Sequence, residues 1–139
     1  MNTYRMEDIE VGHKESFVTT VSETKLGEYR DITGDLNPLH NDESFAREKG
    51  FDGRVVYGLL NASYFSTLVG MYLPGERCLI QEVKYKFMKP AYIGDELVVS
   101  GEVAEKDERT NQLFLKVRIE RKDDEATIIR GTMTVGVLE

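Results

Sequence analysis

The sequence predicts an α+β fold in which an antiparallel sheet wraps around one long central helix. The first indication is a mainly apolar run, VVYGLLNASYFSTLVGMYL at 55–73, which Asn61 and Ser66 interrupt. No cluster of lysine or arginine flanks this run, so we interpret it as a buried core helix rather than a membrane span. The second indication is a change to a hydrophobic period of two from Cys78 onward, which is typical of strands.

Four long strand patterns follow one another in the second half of the chain. They are CLIQEVKYKFMKP at 78–90, ELVVSGEVAEKDE at 96–108, QLFLKVRIERK at 112–122 and ATIIRGTMTVGVLE at 126–139. One helix that is apolar almost all round, followed by consecutive antiparallel strands, predicts a hotdog fold. A single curved sheet covers only one side of such a helix and leaves its own edges open, so we expect a homodimer.

The first half of the chain carries mostly helix signals. The predicted elements are a strand at 13–22, a helix from Glu23 to Thr33 with Ser22 as its cap, a short helix at 43–49 capped by Asp42, and the long buried helix from Tyr57 to Leu73. Gly34 and Gly50 follow the first two helices, as glycine commonly does at a helix end.

Composition restricts the class of protein. A chain of 139 residues is long enough for one hydrophobic core, so we expect a single domain over 1–139. The net charge of −7 argues against nucleic acid as the main partner. A lone cysteine, Cys78, excludes an internal disulfide framework, and the first 17 residues contain no apolar segment typical of a secretion signal. We therefore expect a cytoplasmic protein.

The loop GDLNPLHNDESF at 34–45 holds the strongest candidates for catalysis. Asp35 and His40 lie five residues apart in it, and the apolar Leu36 and Leu39 between them are expected to anchor the loop to the protein. A carboxylate and a neutral imidazole can act as a general acid and base near neutral pH. The alternative is a structural turn in which Asp35 caps backbone N–H groups, and the spacing alone favours that alternative because such turns are common.

Gly58 is predicted to lie where the long helix begins. Its unpaired N–H, supported by the helix dipole, could stabilise a developing oxyanion, although the residue taken alone is better explained as a glycine needed only for close packing at the helix entry. Gly58, Ala62 and Ser66 recur every four residues and form one stripe of small side chains. Ser66 lies about 12 Å further along the helix, too far to share a contact with Gly58.

Other patterns carry less information. Lys84, Lys86 and Lys89 form a small basic row that could meet the phosphates of coenzyme A or a carrier protein's phosphopantetheine, but a solvated strand face is the commoner explanation. The sequence has no group of side chains with metal-ligand spacing and no glycine-rich nucleotide motif. We expect neither a metal nor a cofactor.

Three segments together resemble one known family. ITGDLNPLHNDESFA, then GRVVYGLLNASYFSTLVGMYLPG, then KFMKPAYIGDEL are similar to the MaoC-like dehydratases, which include the (R)-specific enoyl-CoA hydratases. The resemblance extends from about residue 15 to the C-terminus. It implies a dimeric hotdog fold, Asp35 and His40 as the catalytic pair, Gly58 as the oxyanion donor and Ser66 as a residue that supports the site.

The resemblance implies reversible hydration of a trans-2-enoyl thioester, carried by coenzyme A or an acyl carrier protein, to the (R)-3-hydroxyacyl thioester. Many members have histidine before the glycine, whereas this chain has Tyr57. We count Tyr57 and Asn37 among the candidate residues for substrate contact. Two alternatives stay open: a hotdog thioesterase, which has no need of the Asp35 loop, and a non-catalytic acyl-thioester binding module.

Overall fold

A computed structural model describes residues 1–139. The helices and strands are a short 3-10 helix at Met6–Asp8, β1 (Lys14–Thr20), α1 (Glu23–Thr33), α2 (Pro38–Asn41), α3 (Glu43–Glu48), α4 (Gly58–Thr67), a π-helical turn at Leu68–Tyr72, β2 (Cys78–Phe87), β3 (Glu96–Asp107), β4 (Gln112–Arg121) and β5 (Thr127–Val137). The predicted caps are confirmed: the Ser22 hydroxyl accepts from Lys25 N–H, and the Asp42 carboxylate accepts from Phe45 N–H.

All five strands belong to one antiparallel sheet in the order β1-β3-β4-β5-β2. The antiparallel sheet predicted from the period-two segments is therefore confirmed. Consecutive strands pair through β3, β4 and β5, whereas β2 crosses to the far side and pairs with β5. Strands β1 and β2 are left as the two edges.

Helix α4 lies against the inner face of this sheet, in the arrangement of the hotdog fold. A cluster of 23 buried residues joins the helix to the strands and forms the core. Phe65 on the helix and Leu68 just after its end are fully buried, and Leu115 and Ile119 are buried on β4. Because these strand residues alternate with exposed polar ones, only one face of the sheet takes part in the core.

The prediction of one long buried helix over Tyr57–Leu73 needs two corrections. The α-helix ends at Thr67, and the chain continues as a π-helical turn in which Leu73 N–H donates to Leu68 C=O. An i to i+5 bond places Leu73 above Leu68, so both leucines stay fully buried. The opposite side of the helix is open to solvent in the single chain, with Leu59 exposed by 64%.

The edge strand β2 also leaves apolar side chains uncovered. Leu79, Ile80, Val83 and Phe87 are between 41% and 52% exposed. Charged residues usually protect a free edge from pairing with other strands, and this edge carries Lys84 and Lys86 as well as the exposed apolar side chains. No helix of the chain reaches the length and apolar character that crossing a bilayer requires.

Candidate active site

The loop after α1 is fixed by its own side chains. Gly34 ends α1 in the left-handed conformation, with φ 73°, and the Asp35 carboxylate accepts from Asn37 N–H at 3.0 Å. The Asn37 side chain in turn accepts from Leu39 N–H at 2.9 Å and caps α2, which begins at Pro38. Asp35 therefore supports a turn, as the structural alternative supposed, and one of its oxygens is used for that purpose.

His40 is held in place by one backbone carbonyl, which its ring contacts, and by an arginine that bonds to its own carbonyl. Its Nδ1 lies 2.6 Å from the carbonyl oxygen of Val55, and because a carbonyl only accepts, Nδ1 carries the proton. In the neutral imidazole this leaves Nε2 as a hydrogen-bond acceptor and a base. Arg54 Nε donates to the carbonyl of His40 at 2.8 Å and its guanidinium pairs with Glu23 at 2.9 Å, which ties α2 to α1.

Tyr57 connects the two halves of the loop. Its hydroxyl donates to the backbone carbonyl of Asp35 at 2.6 Å and accepts from Asn41 Nδ2 at 3.0 Å. Its ring packs on the His40 ring with 4.2 Å between centroids. Tyr57 is only 2% exposed, and its hydroxyl is engaged by the protein. The residue that differs from the family pattern thus contacts both Asp35 and His40.

The Asp35 carboxylate lies close enough to a second tyrosine to affect its ionisation. Burial, followed by the negative charge of Asp35, raises the pKa of Tyr29 above its ordinary value. The Tyr29 ring packs against the Tyr57 ring at 4.9 Å between centroids. The two tyrosine rings therefore pack together next to the Asp35 and His40 pair.

The expectation that both leucines anchor the loop is half wrong. Leu39 is partly buried, but Leu36 is 71% exposed, and Asp35 itself is exposed. The single chain does not bury the apolar side chain of Leu36, so another surface is needed to shield it from solvent. The site is therefore open on the side of Leu36.

Gly58 has the properties that both interpretations required. It is the first residue of α4, and its N–H has no backbone acceptor. A Cβ at this position would lie 3.0 Å from the ring of Phe87, so close packing by itself explains the glycine. The position of Gly58 as the first residue of α4 leaves its N–H free at the positive end of the helix dipole, where it can bind an oxygen that gains negative charge.

The other small and polar residues of α4 differ in position. Ser66 is exposed on the open side of the helix, and Ser63 is exposed with its hydroxyl donating to the Leu60 carbonyl at 2.6 Å. Asn61 was not identified as a candidate. It is the one buried polar residue, 2% exposed, and its Oδ1 accepts no hydrogen bond. An amide three residues after Gly58 in an apolar run was the signal available for it.

The remaining reactive groups are placed away from the loop. Burial raises the pKa of the Cys78 thiol to about 11, which keeps it protonated and unreactive at neutral pH. Lys84 and Lys86 lie on the outer face of the sheet and line an open hollow there, whereas Lys89 follows the end of β2.

A family model for the MaoC-like domain matches residues 8–126. The chain belongs to the MaoC-like family. One relative, a 3-hydroxybutyryl-CoA dehydratase of Methylorubrum extorquens, is 37% identical over 71% of this chain and 63% of its own length. An (R)-specific enoyl-CoA hydratase of Aeromonas caviae is 33% identical over 70% of this chain and 72% of its own length.

Solved structures agree with this assignment. The MaoC-like chain superposes on an (R)-hydratase from A. caviae involved in PHA biosynthesis with a TM-score of 0.89 and 30% identity, covering 94% of this chain and 98% of the other. An R-hydratase of Pseudomonas aeruginosa gives a TM-score of 0.88 at 26% identity, with coverage of 96% and 84%. The alignment with the first of the sequence relatives spans less than two thirds of that protein.

Proposed function

We propose that this MaoC-like protein catalyses the reversible hydration of trans-2-enoyl thioesters to (R)-3-hydroxyacyl thioesters. The observation that carries the proposal is the bridge through Tyr57, which bonds to the Asp35 carbonyl and packs at a tilt against the His40 ring, whose Nε2 is free. The relatives named as hydratases and dehydratases support the same reaction class. Asp35, His40 and Gly58 are the residues to which we assign it.

The proposed mechanism begins with one water between the pair. The water donates one proton to the free oxygen of Asp35 and the other to Nε2 of His40, so its lone pair faces the substrate. Its oxygen then adds to C3 of the enoyl thioester while one of the pair takes a proton. The electron pair of the double bond moves toward the thioester carbonyl, and the N–H of Gly58 stabilises the negative oxygen.

The second half of the mechanism returns the proton. The protonated member of the pair gives its proton to C2 on the face to which the hydroxyl was added, so the addition is syn and the enzyme ends unchanged. The thioester itself acidifies C2, so these steps require no cofactor. We assign Ser66 and Asn37 supporting contacts rather than proton transfer. The Asn37 side chain is already used to cap α2.

We infer that the working unit is a homodimer. Three exposed apolar surfaces support this: the β2 edge, Leu36 beside the catalytic pair, and Leu59 on the open side of α4. Leucines exposed by 71% and 64% next to a site gain the most from a second copy that covers them. The lone cysteine supports a reducing compartment, and we propose the cytoplasm.

The test is an assay of crotonyl-CoA with the purified protein, following the loss of enoyl-thioester absorbance while free thiol is measured in parallel. Hydration without thiol release is the expected result. Thiol release without hydration would replace the proposal with a thioesterase, and neither reaction together with measurable binding would favour a binding module. Chiral analysis of the 3-hydroxybutyryl product should give the (R) isomer.

A further inference from the structure

The outer face of the sheet, turned away from α4, carries a basic surface that the proposed chemistry does not use. Side chains alternate along β2, so Lys84 and Lys86 point outward while Phe87 points inward. Strand register then places Lys86 opposite Arg130 on β5, and Arg130 opposite Arg118 on β4. Three cations are therefore direct neighbours across three strands.

A second row runs parallel to the first. Lys84 lies opposite Thr132, which lies opposite Lys116. The outer basic cluster is defined here by these two rows: Lys84, Lys86, Lys116, Arg118 and Arg130. All five residues are exposed and line one open hollow of about 930 Å³ that extends from β2 across the sheet to β1.

The cluster is largely without counter-ions. Arg118 pairs with Glu120 at 3.4 Å, while the other four cations take part in no ion pair. Of the other acids that line the hollow, Glu102 on β3 lies opposite Lys116, whereas Glu15 on β1 bonds to Tyr4 and His13, so the row of Lys86, Arg130 and Arg118 is the part with the least compensation. Like charges placed directly opposite across a sheet destabilise it, and a chain with a net charge of −7 has no general excess of cations. A multivalent anion removes this repulsion.

The cluster is also close to the proposed reaction centre. The Phe87 ring lies 3.0 Å from the position of a Cβ on Gly58, and Lys86 is the preceding residue with its side chain on the other face. Lys86 and the helix entry at Gly58 therefore lie on opposite faces of the same strand. Strand β2 ends at Phe87, where Met88 is 47% exposed, and a chain can pass round this end.

We propose that the outer basic cluster binds the phosphates of the coenzyme A part of the substrate, while the pantetheine arm passes round the end of β2 to Gly58. This inference rests on the proposed function and names the carrier of its acyl group. Coenzyme A bears a pyrophosphate and a separate 3′-phosphate, which match two rows of cations spaced along one face. The arm that joins them to the thioester is flexible and longer than one strand is thick.

The experiment compares two thioesters of the same acyl group. Lys86→Gln combined with Arg130→Gln removes the centre of the cluster, and Lys122→Gln combined with Arg109→Gln removes the same charge elsewhere. We expect the first pair to raise KM for crotonyl-CoA about tenfold, the scale of one lost charged hydrogen bond, with kcat little changed. KM for crotonyl-pantetheine, which has no phosphate, should stay the same in both variants.

Every other result overturns the assignment of the outer basic cluster to the coenzyme A phosphates. An unchanged KM for crotonyl-CoA, or an equal rise with crotonyl-pantetheine, means that the cluster does not bind the phosphates. An equal effect of the control pair means that only net charge matters. A loss confined to a crotonyl group on an acyl carrier protein identifies the surface as a docking face for that carrier instead. Hydration of crotonyl-pantetheine by the unmodified protein tests the proposed function separately.

Discussion

At the scale of single residues, Asp35 and His40 share one task in the proposed mechanism. Asp35→Asn keeps the shape and removes the base, and His40→Ala removes the acceptor at Nε2. We expect each change to lower kcat by roughly 100-fold or more, the usual scale for general acid and base groups. Because both residues act on one water, the double variant should be little worse than the worse single variant.

The control for these variants is folding, measured by thermal unfolding. Asp35 caps a turn and His40 bonds to Val55, so some loss of stability is expected from each. A folded Asp35→Asn that hydrates crotonyl-CoA at nearly the original rate would reduce the loop to a structural turn. Ser66→Ala should have a much smaller effect, since Ser66 is exposed on the open side of α4.

A substitution at Tyr57 can distinguish a role in positioning Asp35 and His40 from a role in stability alone. Tyr57→Phe removes the hydrogen bonds to the Asp35 carbonyl and to Asn41 but keeps the ring on His40. The free energy of unfolding should fall by about 1 kcal/mol. We expect kcat to fall while KM changes little, because Asp35 and His40 lose their shared support.

A matched change at Tyr85 controls for the loss of a hydroxyl. Burial raises the pKa of Tyr85 to about 12, and its hydroxyl makes no hydrogen bond in the chain. Tyr85→Phe should therefore leave the free energy of unfolding unchanged or slightly higher. If Tyr57→Phe and Tyr85→Phe behave alike in stability and kcat, the Tyr57 hydroxyl has no positioning role.

At the scale of secondary-structure elements, Glu43 joins α3 to the segment before α4. Its carboxylate accepts from Arg54 N–H at 3.1 Å and pairs with Arg47 at 2.9 Å. The backbone bond from Arg54, followed by contact with Arg47, holds the pKa of Glu43 below its ordinary value of 4.5. A lowered pKa in the folded state stabilises the protein above the unfolded pKa and loses that effect as pH falls through the folded one.

Unfolding followed from about pH 6 to about pH 3 tests this linkage. Glu43→Gln should lose stability at the higher pH and show a weaker dependence on pH than the unmodified chain. Glu48→Gln is the control, since Glu48 lies on the same helix without an ion pair or side-chain hydrogen bond. Equal pH profiles for the two variants would contradict the assignment to Glu43.

At the scale of the whole molecule, the β2 edge predicts how two copies meet. Val83 lies on that edge and is 46% exposed, and Val18 is 51% exposed on the opposite edge strand β1. Val83→Arg should convert a dimer, near twice 15.9 kDa by light scattering, into monomers and abolish hydration without unfolding the chain. Val18→Arg should leave both mass and activity unchanged. Monomers of full activity at micromolar concentration would exclude the homodimer.

The sequence by itself determined the architecture and the chemical candidates. The alternation of apolar and polar residues from Cys78 onward predicted the sheet. In a strand with a period of two, the apolar set can lie on the buried face in only one way. Ser22 and Asp42 located two helix starts, since their side chains satisfy local N–H groups. Asp35, His40 and Gly58 were also identified as candidate site residues from local sequence patterns.

Only the tertiary structure decided how those candidates are held. That Tyr57 reaches the Asp35 carbonyl, that Val55 fixes the proton on His40, and that Phe87 packs on Gly58 all join residues from separate segments. Side-chain periodicity reports which face is buried but not which group lies opposite. The exposure of Leu36 and the π-helical turn at Leu68–Tyr72 escaped prediction for the same reason, because burial depends on what the rest of the molecule places against a side chain.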